Sequence, residues 1–93
     1  MDLPILAIVV NIMTTRDVTE TLDVRGKNCP MPVIETKQAA DRLEVGDVLE
    51  VLATDPGSVN DLGGWAEATP GVELLDQDDD GDVYRHYVRK VAE

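Results

Sequence analysis

The chain contains one cysteine, Cys29, in the stretch Leu22-Asp23-Val24-Arg25-Gly26-Lys27-Asn28-Cys29-Pro30-Met31-Pro32. A single thiol excludes an internal disulfide and a multi-cysteine zinc site. Two roles are left: a small hydrophobe packed behind a sheet, or a nucleophile. The position favours the nucleophile, because Cys29 lies between a short alternating segment and the start of a helix. Free N–H groups and the dipole at a helix N-terminus favour negative charge, and such sites lower a cysteine pKa. The thiolate, not the thiol, attacks a sulfur or carbonyl electrophile. Arg25 and Lys27 are placed to add positive potential. Pro30 and Pro32 restrict the loop and push Cys29 and Met31, the residues before them, toward extended geometry. That geometry holds the thiol away from the core, and Gly26 ends the strand before it.

Other chemistry-bearing residues point less sharply. His86, the only histidine, is either a base for Cys29 or a packing residue of the last strand. Asp76-x-Asp78-x-Asp80-Gly81 matches the opening half of a calcium loop. The final position, which needs a bidentate Glu, is Tyr87, and the flanks read as strands; a solvated hairpin turn accounts for the run better. Trp65 suits a core anchor or a partner-docking surface. Arg85, Arg89 and Lys90 on the final strand form a solvated face or a basic stripe that guides a partner. Asp55 and Asp61 read as helix-start residues. No metal and no organic cofactor is required by these residues.

The elements that position Cys29 follow from periodicity. Leu22 and Val24 alternate with Asp23 and Arg25 as in a half-buried strand. Pro32 suits the first position of a helix running to about Leu43, with Val33, Ile34, Ala40 and Leu43 near one face. Gly46-Asp47 turns the chain, and Val48 to Ala53 reads as a buried strand. Asp55 and Pro56 open a second helix with an apolar face of Val59, Leu62 and Ala66, and Gly63 and Gly64 leave its end open. Pro70-Gly71 is a turn, Val72 to Leu75 a strand, Asp78 to Gly81 a hairpin loop, and Val83 to Val91 the last strand. The order β-α-β-α-β-β predicts an α+β two-layer sandwich, with two helices on one face of a four-stranded mixed sheet.

The 93 residues suit one domain, and with one Trp, two Tyr and no Phe the core is aliphatic. The formal net charge is −11, which repels a phosphate backbone and argues against direct nucleic-acid binding. The acidity has three readings: a solvating surface, adaptation to high salt, or steering toward a basic partner. Leu3 to Met13 is nearly all apolar but far short of the roughly 20 residues that span a bilayer. It also lacks a basic n-region, so no membrane segment or signal peptide is expected and the single thiol suggests a cytoplasmic setting. Residues 1–20 are set aside as an N-terminal extension of undetermined structure, whose β-branched run suits an extra edge strand or an oligomer contact, and residues 21–93 as the domain.

At these motifs the chain resembles a known family. Leu22-Asp23, Gly26 and Cys29-Pro30-Met31-Pro32 are similar to the Leu-Asp-x-x-Gly-x-x-Cys-Pro-x-Pro signature of TusA-type (SirA-like) sulfur carriers. Val45 to Leu49, Thr54-Asp55-Pro56, Ser58 to Leu62 with Trp65, and Tyr84 to Lys90 extend the likeness across Leu22 to Lys90. The resemblance implies that Cys29 takes sulfane sulfur as a persulfide and passes it on. The implied donor is a cysteine desulfurase or rhodanese-like enzyme. The implied acceptor is a downstream protein serving tRNA thiolation, molybdenum-cofactor assembly or sulfur metabolism. Where many relatives carry a second cysteine after the aromatic residue of helix two, this chain has Ala66, which rules out a route through a second thiol. The alternative is a regulatory or interaction module in which Cys29 is structural.

Overall fold

The computed structural model describes residues 17–93; the apolar stretch Leu3 to Met13 lies outside them. Six elements follow in order: β1 (Glu20–Asp23), α1 (Met31–Asp41), β2 (Val48–Ala53), α2 (Ser58–Glu67), β3 (Val72–Asp79) and β4 (Tyr84–Lys90). The strands form one sheet in the order β1-β2-β4-β3. β1 and β2 are parallel, and β4 is antiparallel to both of its neighbours. The sheet is mixed and the α+β sandwich is as the periodicity predicts.

The parallel pair positions the site. A parallel connection needs a crossover, here supplied by α1. The loops that leave the C-terminal ends of β1 and β2 therefore emerge side by side. One loop carries Cys29 and the other Asp55.

Alternation sorts the sheet into two faces. Leu49, Val51 and Ala53 of β2 are fully buried or nearly so with Val24, Ala39, Leu43 and Leu62, and Trp65 packs against this cluster half-buried. His86, Val88 and Lys90 of β4 point to the same helix-covered side. On the other face Tyr87 Oη donates to Glu50 Oε2 at 3.0 Å and Thr21 Oγ1 donates to Glu50 Oε1 at 3.0 Å. Arg89 pairs with Glu73 there at 2.7 Å. The core is small side chains closely interleaved, as expected of a chain with so few aromatics.

Several expectations are corrected. α1 starts at Met31 and ends at Asp41, and its buried stripe is Pro32, Thr36, Ala39 and Ala40. That spacing repeats near 3.6; Ile34 is two residues off it, which turns it about 200° away, and it is 41% exposed. Asp55 does not cap α2: the N-cap is Gly57 and no side chain caps it. β3 is longer than Val72 to Leu75, because a bulge between Leu74 and Asp76 lets the pairing resume through Asp79. The acidic run therefore lies largely in a strand, and the turn is tightened by Asp80 Oδ1, which accepts from the N–H groups of Asp82 and Val83. Lys90 is not part of a solvated stripe with Arg85 and Arg89; it is 8% exposed and its Nζ donates to Ala40 O, at the C-terminal end of α1, at 2.8 Å.

Candidate functional site

Cys29 is exposed and sits two residues before α1, at the tip of the β1–α1 loop. Two bonds from the neighbouring β2–α2 loop hold that tip. Gly26 N donates to Thr54 Oγ1 at 2.9 Å, and Cys29 N donates to Asp55 Oδ2 at 3.1 Å. Gly26 has a φ of 82°, a left-handed conformation that a side chain would disfavour. Inside the loop Lys27 N donates to Val24 O at 3.2 Å and Met31 N to Asn28 O at 2.9 Å. The Cys29–Pro30 peptide is cis. Pro30 is the N-cap of α1, and Pro32 occupies its first turn, buried. The loop is thus a tethered projection that ends in an exposed Cys29, but Met31 is not extended as its place before Pro32 suggests: it is the first residue of α1.

The electrostatics differ from the expectation. The Cys29 thiol is pushed up from its ordinary pKa, first by a hydrogen bond to the Asp61 carboxylate, then by partial desolvation and the negative charges of Asp61 and Asp55. Three facts explain why the helix end does not prevail. The first-turn donors are already occupied: Met31 N faces Asn28 O, Val33 N and Ile34 N both face Pro30 O, and Pro32 has no N–H. The expected cations are bound elsewhere. Arg25 is held by Asp23, Nε to Oδ1 at 2.9 Å and Nη2 to Oδ2 at 2.8 Å, and Lys27 Nζ by Glu35 at 2.7 Å. A helix terminus offers about half an elementary charge, whereas each carboxylate carries a whole one.

His86 is not a partner of Cys29. It is fully buried on the helix face of β4. Its Nδ1 lies 3.0 Å from Gln77 Nε2, which also donates to Val59 O at 3.0 Å, and its Nε2 lies 3.2 Å from Ser58 Oγ. The amide nitrogen only donates, so Nδ1 accepts and Nε2 carries the proton. Burial lowers the His86 pKa to about 4. The ring is a neutral packing residue. Among the described residues no group of three or more His, Cys, Asp or Glu side chains is arranged to hold a metal.

The residues missed by sequence reasoning are Asp55, Thr54 and Asp61. Thr54-Asp55-Pro56 was visible as a unit, but a helix-start pattern gives the same letters. The signal that separates the readings is the β1–β2 parallel pairing, which brings the two loops together.

Known proteins match this chain over most of its length. Residues 20–90 match the family model described as Sulfurtransferase TusA. The chain belongs to the TusA family. A putative sulfur carrier protein of Halobacterium salinarum is 64% identical over 74 residues, 80% of this chain and 91% of the relative. The sulfur carrier protein TusA of Allochromatium vinosum is 38% identical over 74 residues, 80% of this chain and 96% of that protein. The crystal structure of a SirA-like protein from Desulfitobacterium hafniense superposes with a TM-score of 0.60 at 32% identity, covering 81% of this chain and all of that one. The family and the fold are thus shared with these proteins.

Proposed function

We propose that this TusA-family chain carries sulfane sulfur as a persulfide on Cys29. The observation that supports this most is the exposed thiol on a loop pinned by Thr54 and Asp55. A structural cysteine would be covered; this one is open to a second macromolecule. The chemistry is thiol–persulfide exchange. The Cys29 thiolate attacks the terminal sulfur of a donor persulfide, a new S–S bond forms, and the donor sulfur–sulfur bond breaks with the donor cysteine leaving as thiolate. In the second half an acceptor thiolate attacks the terminal sulfur of Cys29–S–S⁻ or its protonated form, and Cys29 leaves with the electron pair. No redox equivalent is consumed in either half.

Each group at the loop has a part in this reading. Gly26 supplies the bend, Pro30 and Pro32 stiffen the projection, and Arg25 and Lys27 shape the loop surface through their pairs with Asp23 and Glu35. The donor is a cysteine desulfurase or rhodanese-like protein and the acceptor a downstream protein, in a cytoplasmic relay that requires no cofactor. No helix of the described residues is long and apolar enough to cross a membrane.

The test is intact mass after incubation with a desulfurase and cysteine, or with thiosulfate and a rhodanese. A gain of one sulfur that is absent in Cys29→Ser supports the proposal, and an unchanged mass with both donors overturns it.

A further inference from the structure

The transfer chemistry makes no use of the two carboxylates beside the thiol. Asp61 lies in the first turn of α2, its N–H bonded to Gly57 O at 3.0 Å. Gly57 has no side chain, and a Cβ placed there would lie 3.5 Å from Asp55 Oδ2 and 3.6 Å from Asp61 Oδ2. The two carboxylates therefore converge over one small space. The same Asp55 oxygen holds the Cys29 N–H.

Resting on the sulfur-carrier reading, we propose that Asp61 is a positioning residue for the transfer. With Asp55, which holds the Cys29 N–H, and across the bare Gly57 beside it, its carboxylate sets a negative field at the thiol loop, so that the site selects reaction partners that bring positive charge.

Every charged group around the loop bears on this. From α2 and the loop before it come Asp61 and Asp55, both negative and both raising the thiol pKa. From the cysteine's own loop come Arg25 and Lys27, each neutralised at short range by Asp23 or Glu35. What faces the sulfur is net negative. Exchange rates depend on the thiolate fraction and on access, so an unaccompanied Cys29 is slowed toward adventitious electrophiles. A partner that places a cation against Asp55 and Asp61 offsets their charge and frees the thiolate where transfer is wanted. The persulfide is more acidic than the thiol, so the same carboxylates destabilise the loaded anion and favour its discharge.

The test uses small disulfides of opposite charge on the full-length protein at low ionic strength. In each reaction the Cys29 thiolate attacks one sulfur, the disulfide bond breaks, one half leaves as thiolate and the other stays as a mixed disulfide. Cystamine (a dication) is expected to react faster than dithiodiglycolate (a dianion). In Asp61→Asn the ratio of the two rates falls by about threefold or more, because a charge next to the sulfur is gone. The pH midpoint of iodoacetamide alkylation moves down in the same variant. Asp61→Glu restores both, and Asp55→Asn, which retains an acceptor for the Cys29 N–H, shifts the ratio the same way. Asp41→Asn, at the far end of α1, leaves the ratio near the wild-type value. An unchanged ratio and midpoint in Asp61→Asn, or an Asp61→Glu protein that behaves like Asp61→Asn, overturns the proposal. So does an Asp41→Asn effect as large as that of Asp61→Asn, which would assign the selectivity to net charge. None of these probes carries sulfane sulfur, so their outcome is independent of whether Cys29 loads a persulfide.

Discussion

Burial and neighbouring charge act on two side chains here with opposite functional weight. His86 has lost its water and gained neutral partners, Ser58 and Gln77, so its folded pKa is lowered to about 4 from 6.5. Between those values the unfolded chain binds a proton that the folded one refuses. Stability is therefore present above about pH 6.5 and declines as pH falls through 4, by about 3 kcal/mol in all. Urea unfolding at pH 7 and pH 4.5 measures this. His86→Gln should flatten that part of the profile, and an equal slope in both proteins contradicts it. Cys29 shows the other case. Its sequence neighbours suggested an ionised thiol, because Arg25, Lys27 and a helix start stand close in the chain. The site is legible in the sequence as to which residue projects and why, since Cys-Pro-x-Pro after a glycine fixes a projecting loop. Its charge is not legible, because it is set by Asp55 and Asp61, which are remote in sequence and arrive through strand pairing.

The elements themselves were readable where one period dominates. β2 spans Val48–Ala53 as its apolar run predicts, and α2 buries Leu62 and Ala66 as expected, with Ser58 rather than Val59 completing the stripe at a four-residue spacing. α1 was harder, because its inward stripe is built of Pro32, Thr36 and two alanines and its larger Ile34 points out. The end of β3 was harder still, since a bulge carries an acidic strand through residues that read as a loop. Gly63 and Gly64 lie inside α2, and a Cβ at either would meet nothing within 4 Å. Gly64→Ala should then stabilise the protein by about 0.5–1 kcal/mol by raising helix propensity and narrowing the unfolded ensemble. A shift in urea midpoint at constant slope is the readout, and a loss of stability would show that α2 needs the bare backbone. Ala at Gly26 should act in the opposite direction, because its φ of 82° is left-handed.

On the scale of the whole molecule, 19 acidic and 8 basic residues leave a net charge of −11 on a small domain. Self-repulsion of that size destabilises a compact state and is relieved by screening. Several of the surface ion pairs, such as Lys37 with Asp41 at 3.1 Å, are largely exposed on both sides and contribute little that salt would remove. Net repulsion therefore outweighs pair attraction, and the melting temperature should rise steadily as KCl is added. A maximum in dilute buffer would contradict this and give the ion pairs the larger share.

On this account the single thiol, on the loop between β1 and α1, receives and yields one sulfur atom. The direct measurement is to expose the protein to a persulfide donor, trap it with iodoacetamide, digest it, and weigh the peptide that contains Cys29. The account predicts one additional sulfur between the cysteine and the alkyl group, lost again when an acceptor thiol is added before trapping. A peptide that carries only the alkyl group under saturating donor, or an extra sulfur that no thiol removes, would contradict it.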